Sequence, residues 1–175
     1  MGYQTDFTGH VTVTPALNQA EAAFLHAFAD SRRMDREAGP YGCGDDGVRN
    51  YNLPPAGQPG LWCDWAPTDD NAGLEWNGME KFYESEEWMR YLIDHFLRPG
   101  GEAQGQPGFD QFTFDHVVSG TIDAQGEDPS DRWQLRVVDN IVVRALADRS
   151  RTGDGTLTVR TVRETARLSW SGEEG

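Results

Sequence analysis

Three tryptophans and four carboxylates lie together in the segment GLWCDWAPTDDNAGLEW, residues 60–76. Such a combination could do chemistry, because an aromatic ring stacks on a base or a sugar while a nearby carboxylate acts as general acid or base. Trp62 or Trp65 would be the stacking ring, and Asp64, Asp69 or Asp70 would be the assisting acid. A site for a small molecule, such as a nucleotide or a sugar, is one hypothesis that the sequence raises.

The same segment is also typical of a β-hairpin, with two short strands around the turn APTDDN. Alternation in the first strand places Cys63 and Trp65 on the core face, and Trp62 and Asp64 on the solvent face. Aromatic pairs across strands stabilise a sheet without any ligand. The sequence therefore favours core packing for most of these rings and predicts that Trp62 is the exposed one.

A long polar segment, residues 35–59, is the second candidate for function. It is rich in Gly, Pro, Asp and Asn and has no apolar period, so we expect a long irregular loop. Tyr41 and Tyr51 in this loop are candidate binding residues. In the small-molecule hypothesis the pocket lies between the loop, the sheet and Trp62, with Asp64 or Glu75 as acid or base.

Other motifs for catalysis or metal binding are weak. The four histidines form no HxH, HxxxH or HExxH pattern, and the two cysteines lack metal-ligand spacing. GCGDDG, residues 42–47, matches G-x-G-x-x-G, but a dinucleotide site needs a strand before it and a helix after it. Cys43 in this stretch could act as a nucleophile, although the sequence indicates no base for it. We therefore predict no catalytic residue, no metal and no cofactor. The chain is more readily explained as a binding protein than as an enzyme.

The elements that position these residues begin with a strand and a helix. Residues 5–14 alternate as a half-buried strand. A helix follows, with Asn18 as its N-cap and Glu21 completing a capping box. Its predicted apolar stripe consists of Ala20, Ala23, Phe24, Ala27 and Phe28.

The strongest helical signal is EKFYESEEWMRYLIDHFLRPGG, residues 80–101. Residues 112–146 then read as two long strands joined at the turn GEDPSD, and a last strand is predicted within residues 155–170. We predict an α+β fold: an antiparallel sheet with two helices on one face, in ferredoxin-like split β-α-β order with an extra C-terminal strand. All 175 residues are expected to form a single domain.

The charge is strongly negative and unevenly distributed. The net charge is −14, with −16 in residues 1–131 and +4 in residues 132–170. This distribution argues against direct nucleic-acid binding, which calls for a dominant basic face, and it suits a protein partner with a basic surface. The sequence has no predicted signal peptide or membrane span, so we expect a cytoplasmic protein that does not bind membranes. Its oligomeric state stays open.

One resemblance covers the MGYQT start, the helix around Trp88–Leu97 and the hairpin Gly120–Val143. In these pieces the chain resembles small, acidic, functionally uncharacterised proteins of GC-rich actinobacteria and their phages. The resemblance does not extend to residues 35–59 or to the segment after Ala147. It implies no activity, but it does imply a phage or mobile-element origin and hence a role in host interaction.

Three functions from different classes remain open. The leading hypothesis is a non-enzymatic acidic binding protein that acts through protein–protein contacts, for example as a phage-encoded anti-defence protein or a nucleic-acid mimic. The first alternative is the small-molecule binder or enzyme with an aromatic and carboxylate pocket. The second is a structural subunit of a larger assembly, in which an exposed sheet edge pairs with a neighbour.

Overall fold

Nine strands and two helices form within residues 2–146, which are the residues that the computed structural model describes. They are β1 (Thr5–Thr8), β2 (His10–Thr14), α1 (Gln19–Ala29), β3 (Asp35–Arg36), β4 (Val48–Asn50), β5 (Trp65–Pro67), β6 (Gly73–Trp76), α2 (Ser85–Leu92), β7 (Val117–Gly126), β8 (Arg132–Val138) and β9 (Ile141–Leu146). A π-helical turn, Ile93–Leu97, continues α2. The strand predicted within residues 155–170 lies outside the described residues.

The main sheet has seven strands and is antiparallel throughout, in the order β5-β6-β2-β7-β8-β9, with β1 also paired to β7. The prediction of an α+β fold with an antiparallel sheet and two helices is confirmed, although the sheet has more strands than predicted. One of these is β9, which Asp139 and Asn140 separate from β8. Their φ angles of 46° and 70° make the tight turn that suits an antiparallel hairpin.

The capping box at the start of α1 is confirmed. The backbone N–H of Glu21 donates to Asn18 Oδ1 at 2.9 Å, and the Asn18 N–H donates to Glu21 Oε2 at 2.8 Å. The predicted apolar stripe is wrong, because Ala23 and Ala27 are exposed. The helix is rotated so that its larger apolar groups face the sheet. Its buried residues are Glu21, Ala22, Leu25, Phe28 and Ala29.

The core lies between one face of the sheet and the two helices. Trp88 and Leu92 of α2 and Phe96 of the π-helical turn are fully buried there. Trp65 is also buried, and its indole N–H donates to the Ser85 carbonyl at 2.8 Å. The helix start is therefore joined to the hairpin by a hydrogen bond inside the core. No helix within residues 2–146 is long and apolar enough to cross a membrane.

Segment 35–59 is more ordered than predicted. It contains a two-stranded ribbon, β3 paired with β4, although the rest of the segment is irregular as expected. Two buried arginines hold it in place from within. Arg33 Nη2 donates to the Gly42 carbonyl at 3.1 Å, and Arg36 Nε donates to the Gly44 carbonyl at 2.5 Å. Their side chains donate to loop carbonyls that are not hydrogen-bonded in any strand pairing. Composition alone does not indicate this source of order.

Candidate binding groove

A groove of about 380 Å³ opens beside α2, where segment 57–59 faces the helix. We call it the α2 groove. The side chains and backbone that line it are Gly57, Pro59, Glu84, Glu87, Arg90, Tyr91, Asp94 and His95.

Helical spacing brings the lining residues together. Glu87, Tyr91 and Asp94 follow one another at intervals of four and three residues, so they share one face, and Glu84 precedes them as the N-cap of α2. The π-helical turn then carries the face onward to His95, and its wider hydrogen bond runs from the Arg98 N–H to the Ile93 carbonyl at 3.0 Å. Single π-helical turns inside helices are frequent at functional sites.

His95 is held by two tyrosines. Its ring stacks on Tyr91 with centroids 3.8 Å apart and an interplanar angle of 17°, and its Nδ1 lies 2.7 Å from the Tyr41 hydroxyl. Burial lowers the pKa of His95, and the nearby carboxylates of Glu102 and Asp94 oppose that shift. Burial therefore favours the neutral form of the ring. Its Nε2 makes no hydrogen bond in the part of the chain that the structure describes.

Gln58 holds Tyr91, the ring on which His95 stacks, in position. Its Nε2 donates to the Tyr91 hydroxyl at 3.0 Å and to the Pro40 carbonyl at 2.6 Å. Burial raises the pKa of Tyr91 to about 12 and also raises the pKa of Tyr41. Both phenols therefore stay neutral over the physiological range and serve as hydrogen-bonding groups with fixed positions.

The rim of the groove is acidic. Glu87 pairs with Arg90 at 3.3 Å and Asp94 pairs with Arg98 at 2.8 Å, both as exposed ion pairs within the helix. Glu84 makes no ion pair among residues 2–146. Exposed pairs of this kind are weak, about 0.5 kcal/mol, so an incoming cation competes for these carboxylates at little cost.

The residues predicted from the hairpin do not line this groove. Trp62 is 43% exposed, which confirms that it is the exposed ring, and Asp69 is exposed in the turn. Asp70 has a turn role: its Oδ1 accepts hydrogen bonds from Thr68 Oγ1 at 2.7 Å and from the Ala72 N–H at 3.0 Å. These bonds lower the pKa of Asp70.

The prediction that Asp64 lies on the solvent face of the hairpin is wrong, since the residue is only 3% exposed. The alternation fails because β5 begins at Trp65, so the backbone before it is not a regular strand. Burial raises the pKa of Asp64 to about 6, and the one side-chain contact that opposes the shift is a 3.5 Å hydrogen bond from Asn77 Nδ2.

The two loop tyrosines have different surroundings. Tyr51 is 61% exposed and contributes its carbonyl, which accepts a hydrogen bond from Arg32 Nε at 2.9 Å. Tyr41 is half-buried and joins His95, as described above. Sequence reasoning missed His95, Tyr91 and Gln58. The available signal was the four-residue spacing of Tyr91 and His95, which places an aromatic ring over the histidine on a helix.

No group of three or more His, Cys, Asp and Glu side chains within residues 2–146 is placed to hold a metal ion. Comparison with known protein families, with curated proteins and with solved structures found no match to this chain. The geometry of the α2 groove and the charge around it are thus the observations from which function is argued.

Proposed function

We propose that this protein is a non-enzymatic binding protein whose α2 groove docks on a basic surface of a partner protein. The observation that carries the proposal is the lining of the groove, in which three carboxylates accompany a histidine and a tyrosine: Glu84, Glu87, Asp94, His95 and Tyr91. A Lys or Arg side chain would find carboxylates at the rim and neutral hydrogen-bonding and aromatic groups in the wall.

The charge of the surrounding chain supports the same partner chemistry. Residues 2–146 contain 24 Asp and Glu against 10 Lys and Arg, which gives the whole net charge of −14. Two of those cations, Arg33 and Arg36, are buried and cannot offset the surface charge. Arg144 pairs with Glu86 at 3.5 Å, as expected if arginines late in the chain pair with the acidic front. A field of this sign attracts basic partners and accelerates their association.

The resemblance to proteins of actinobacteria and their phages gives the proposal a biological form. The partner would be a host protein in the cytoplasm, and the function would be interference with host defence or another host interaction. An acidic surface that occupies a nucleic-acid-binding site by mimicry is one such mechanism.

A defined cationic probe tests the groove. We expect a peptide that alternates arginine and glycine to shift the NMR resonances of His95 and Tyr91, with an affinity that falls as salt is raised. The test variant is Glu84→Gln/Glu87→Gln/Asp94→Asn. Its matched control neutralises three exposed carboxylates outside the groove lining, Asp45→Asn/Asp46→Asn/Glu75→Gln.

Both triple variants change the net charge equally, so a bulk electrostatic effect weakens both alike. The proposal predicts a loss of affinity of about tenfold in the groove variant and less than about twofold in the control. Equal losses in the two variants, or resonance shifts spread evenly over the surface, would contradict it.

A small-molecule site at the hairpin is the second candidate, and the buried carboxylate of Asp64 favours it. The carboxyl group of Asp64 has a pKa raised to about 6 and lies near the exposed Trp62. A carboxyl group with these properties is a feature of acid–base sites. The test is titration of nucleotides and sugars against Trp62 fluorescence, with Trp62→Phe as the reference. Binding that survives in Asp64→Asn and Trp62→Phe would remove this candidate.

The finer topology is also a proposal. We assign β2, α1, β5, β6, α2 and β7 to the split β-α-β order of ferredoxin-like folds. The neighbouring sequence β5-β6-β2-β7 supports this assignment, since it places the first strand of the set between the third and the last. On this assignment β8 and β9 extend the sheet beyond β7, the last strand of the ferredoxin-like set.

A further inference from the structure

The two ends of the main sheet differ in how well they are protected. The sheet ends at β5 on one side and at β9 on the other. β5 has three residues, its Pro67 has no N–H to donate, and α1 packs against it. β9 has six residues and no proline, and no strand within residues 2–146 pairs with its outer side. A long edge strand of this kind is a template on which another extended chain can pair.

The hairpin register decides which backbone groups of β9 face outward. Val138 and Ile141 close the two-residue turn, so Ile141 bonds to β8, whereas Val142 and Arg144 turn their N–H and C=O groups away from β8. Arg90 Nη2 of α2 donates to the Val142 carbonyl at 3.3 Å. The N–H groups of Val142 and Arg144 make no hydrogen bond with any residue of the described chain, nor does the Arg144 carbonyl. A carbonyl accepts two hydrogen bonds, so that of Val142 also has capacity left.

Helix α2 lies along the inner side of this edge and provides carboxylates there. Glu86 pairs with Arg144 at 3.5 Å, and Glu87 pairs with Arg90 at 3.3 Å. Burial raises the pKa of Glu86, and the nearby Arg144 opposes that shift, so a second cation would further stabilise the charged form. Arg90 also lines the α2 groove, so the groove and the sheet edge are continuous.

The other face of β9 is apolar. Alternation along the strand points Ile141 and Val143 away from α2, on the side opposite Arg144. Ile141 is 66% exposed and lies beside Val138, which is 59% exposed. A strand placed next to β9 would therefore meet carboxylates on one face and aliphatic side chains on the other.

We propose that β9 binds an extended basic segment of the partner protein as an additional antiparallel strand, in which arginine or lysine alternates with aliphatic residues. The basic side chains point to Glu86 and Glu87, and the aliphatic ones pack on the apolar face of β9. Main-chain hydrogen bonds to Val142 and Arg144 supply affinity, and the alternation supplies specificity. This inference rests on the proposed function, because it defines the kind of partner that the acidic surface of α2 takes.

Two isomeric peptides test the pairing on the full chain. Both alternate valine and arginine, with N-methyl groups on the valine amides in one and on the arginine amides in the other. Residues directly opposite each other in an antiparallel pair point their side chains to the same face, so the arginine N–H groups face β9 and the valine N–H groups face away. We expect the arginine-methylated peptide to bind about tenfold more weakly in isothermal titration calorimetry, because it cannot donate to the edge. Equal affinities would overturn the proposal.

Amide hydrogen exchange locates the pairing. The N–H groups of Val142 and Arg144 should exchange rapidly in the free protein and about tenfold more slowly when the valine-methylated peptide is bound. Slow exchange in the free protein would mean that residues 147–175 or a second copy already fill the edge, and this result would also overturn the proposal.

A matched pair of variants tests the strand from the side of the protein. Arg144→Pro removes an outward N–H, whereas Arg144→Ala removes the same side chain and keeps that N–H. The proline variant should bind the valine-methylated peptide about tenfold more weakly than the alanine variant does. Equal binding by two folded variants would contradict the pairing. If the proline variant does not fold, the comparison of the two peptides still decides.

The groove variant Glu84→Gln/Glu87→Gln/Asp94→Asn separates this inference from the proposed function. If the edge pairing is wrong and docking through the groove is right, the two peptides bind equally and the variant weakens both. Unchanged binding of the valine-methylated peptide by that variant would instead contradict the proposed function, while a difference between the two peptides would still support pairing at β9.

Discussion

His116 and His95 lie in two regions that differ in how many hydrogen-bond partners the fold provides for the imidazole nitrogens. His116 is buried, and both of its nitrogens have hydrogen-bonding partners: Nδ1 lies 2.7 Å from the Pro15 carbonyl and Nε2 lies 3.1 Å from Glu21 Oε2. His95 is half-buried in the wall of the α2 groove and has one partner, Tyr41. The first region is closed and the second has hydrogen-bonding capacity left for a ligand.

The closed region also satisfies its carboxylate. Glu21 Oε1 accepts from the Thr113 N–H at 2.8 Å and from the Thr113 hydroxyl at 2.9 Å, while Oε2 accepts from the Asn18 N–H and from His116. We call Glu21, Thr113 and His116 the Glu21 network. It joins the start of α1 to the segment that leads into β7. Complete satisfaction of buried polar groups indicates a structural role, and the unpartnered Nε2 of His95 in the groove fits the proposed binding role.

The largest effect that tests this comparison is expected from Glu21→Ala. Removing the carboxylate leaves the buried His116 and Thr113 without their acceptor, so the free energy of unfolding should fall by about 3 kcal/mol. Urea denaturation measures it. Glu87→Ala, at an exposed groove carboxylate, is the control and should change stability by less than about 0.5 kcal/mol. Similar losses in both variants would show that the two regions do not differ in the way described.

Asp64→Asn tests whether a buried carboxylate with few hydrogen-bond partners lacks the stabilising role that Glu21 has. The folded-state pKa of about 6 lies above the usual aspartate pKa of 3.8, so burial favours the neutral acid. The stabilising contribution is complete below pH 3.8 and is lost as pH rises through 6. The amide stays neutral throughout, so at pH 8 the variant should be more stable by on the order of 2 kcal/mol, with little difference near pH 4. Urea denaturation at both pH values checks this, and a variant less stable at pH 8 would refute it.

Acid titration of the Glu21 network should give a smaller effect of opposite sign. The hydrogen bonds from Thr113, Asn18 and His116 outweigh the opposing effect of burial and lower the pKa of Glu21 below its usual 4.5. The carboxylate therefore stabilises the fold above pH 4.5, and this contribution is lost as pH falls through the folded-state pKa. Stability measured from pH 5 to pH 3 should fall less steeply in Glu21→Gln than in the wild type. Parallel curves would contradict this assignment.

The smallest effect is expected at His95. Phenylalanine keeps the stacking on Tyr91 and loses only the hydrogen bond to Tyr41, so His95→Phe should cost less than about 1 kcal/mol of unfolding free energy. The same urea experiment measures it. A loss as large as that of Glu21→Ala would make His95 a structural residue and would remove the distinction between the groove and the network.

The predictable parts of this fold are those that local sequence decides. The capping box needs only Asn18 and Glu21, and the buried ridges of the second helix need only its period. The burial of Asp64 was not predictable, because it lies on irregular backbone where alternation has no meaning. The groove was not predictable either. Tyr41 and His95 are 54 residues apart, and their contact depends on how Arg33 and Arg36 fold the intervening loop.

The most direct test of the central claim is affinity capture from a lysate of the actinobacterial host that the proposed function names, with the wild type and the two triple charge variants as baits at low and high salt. The account predicts one stoichiometric protein with a basic surface, retained at low salt by the wild type and by the Asp45/Asp46/Glu75 control. It should be lost from the Glu84/Glu87/Asp94 variant and at high salt. Retention of the same protein by the groove variant, or indifference to salt, would contradict docking through the α2 groove.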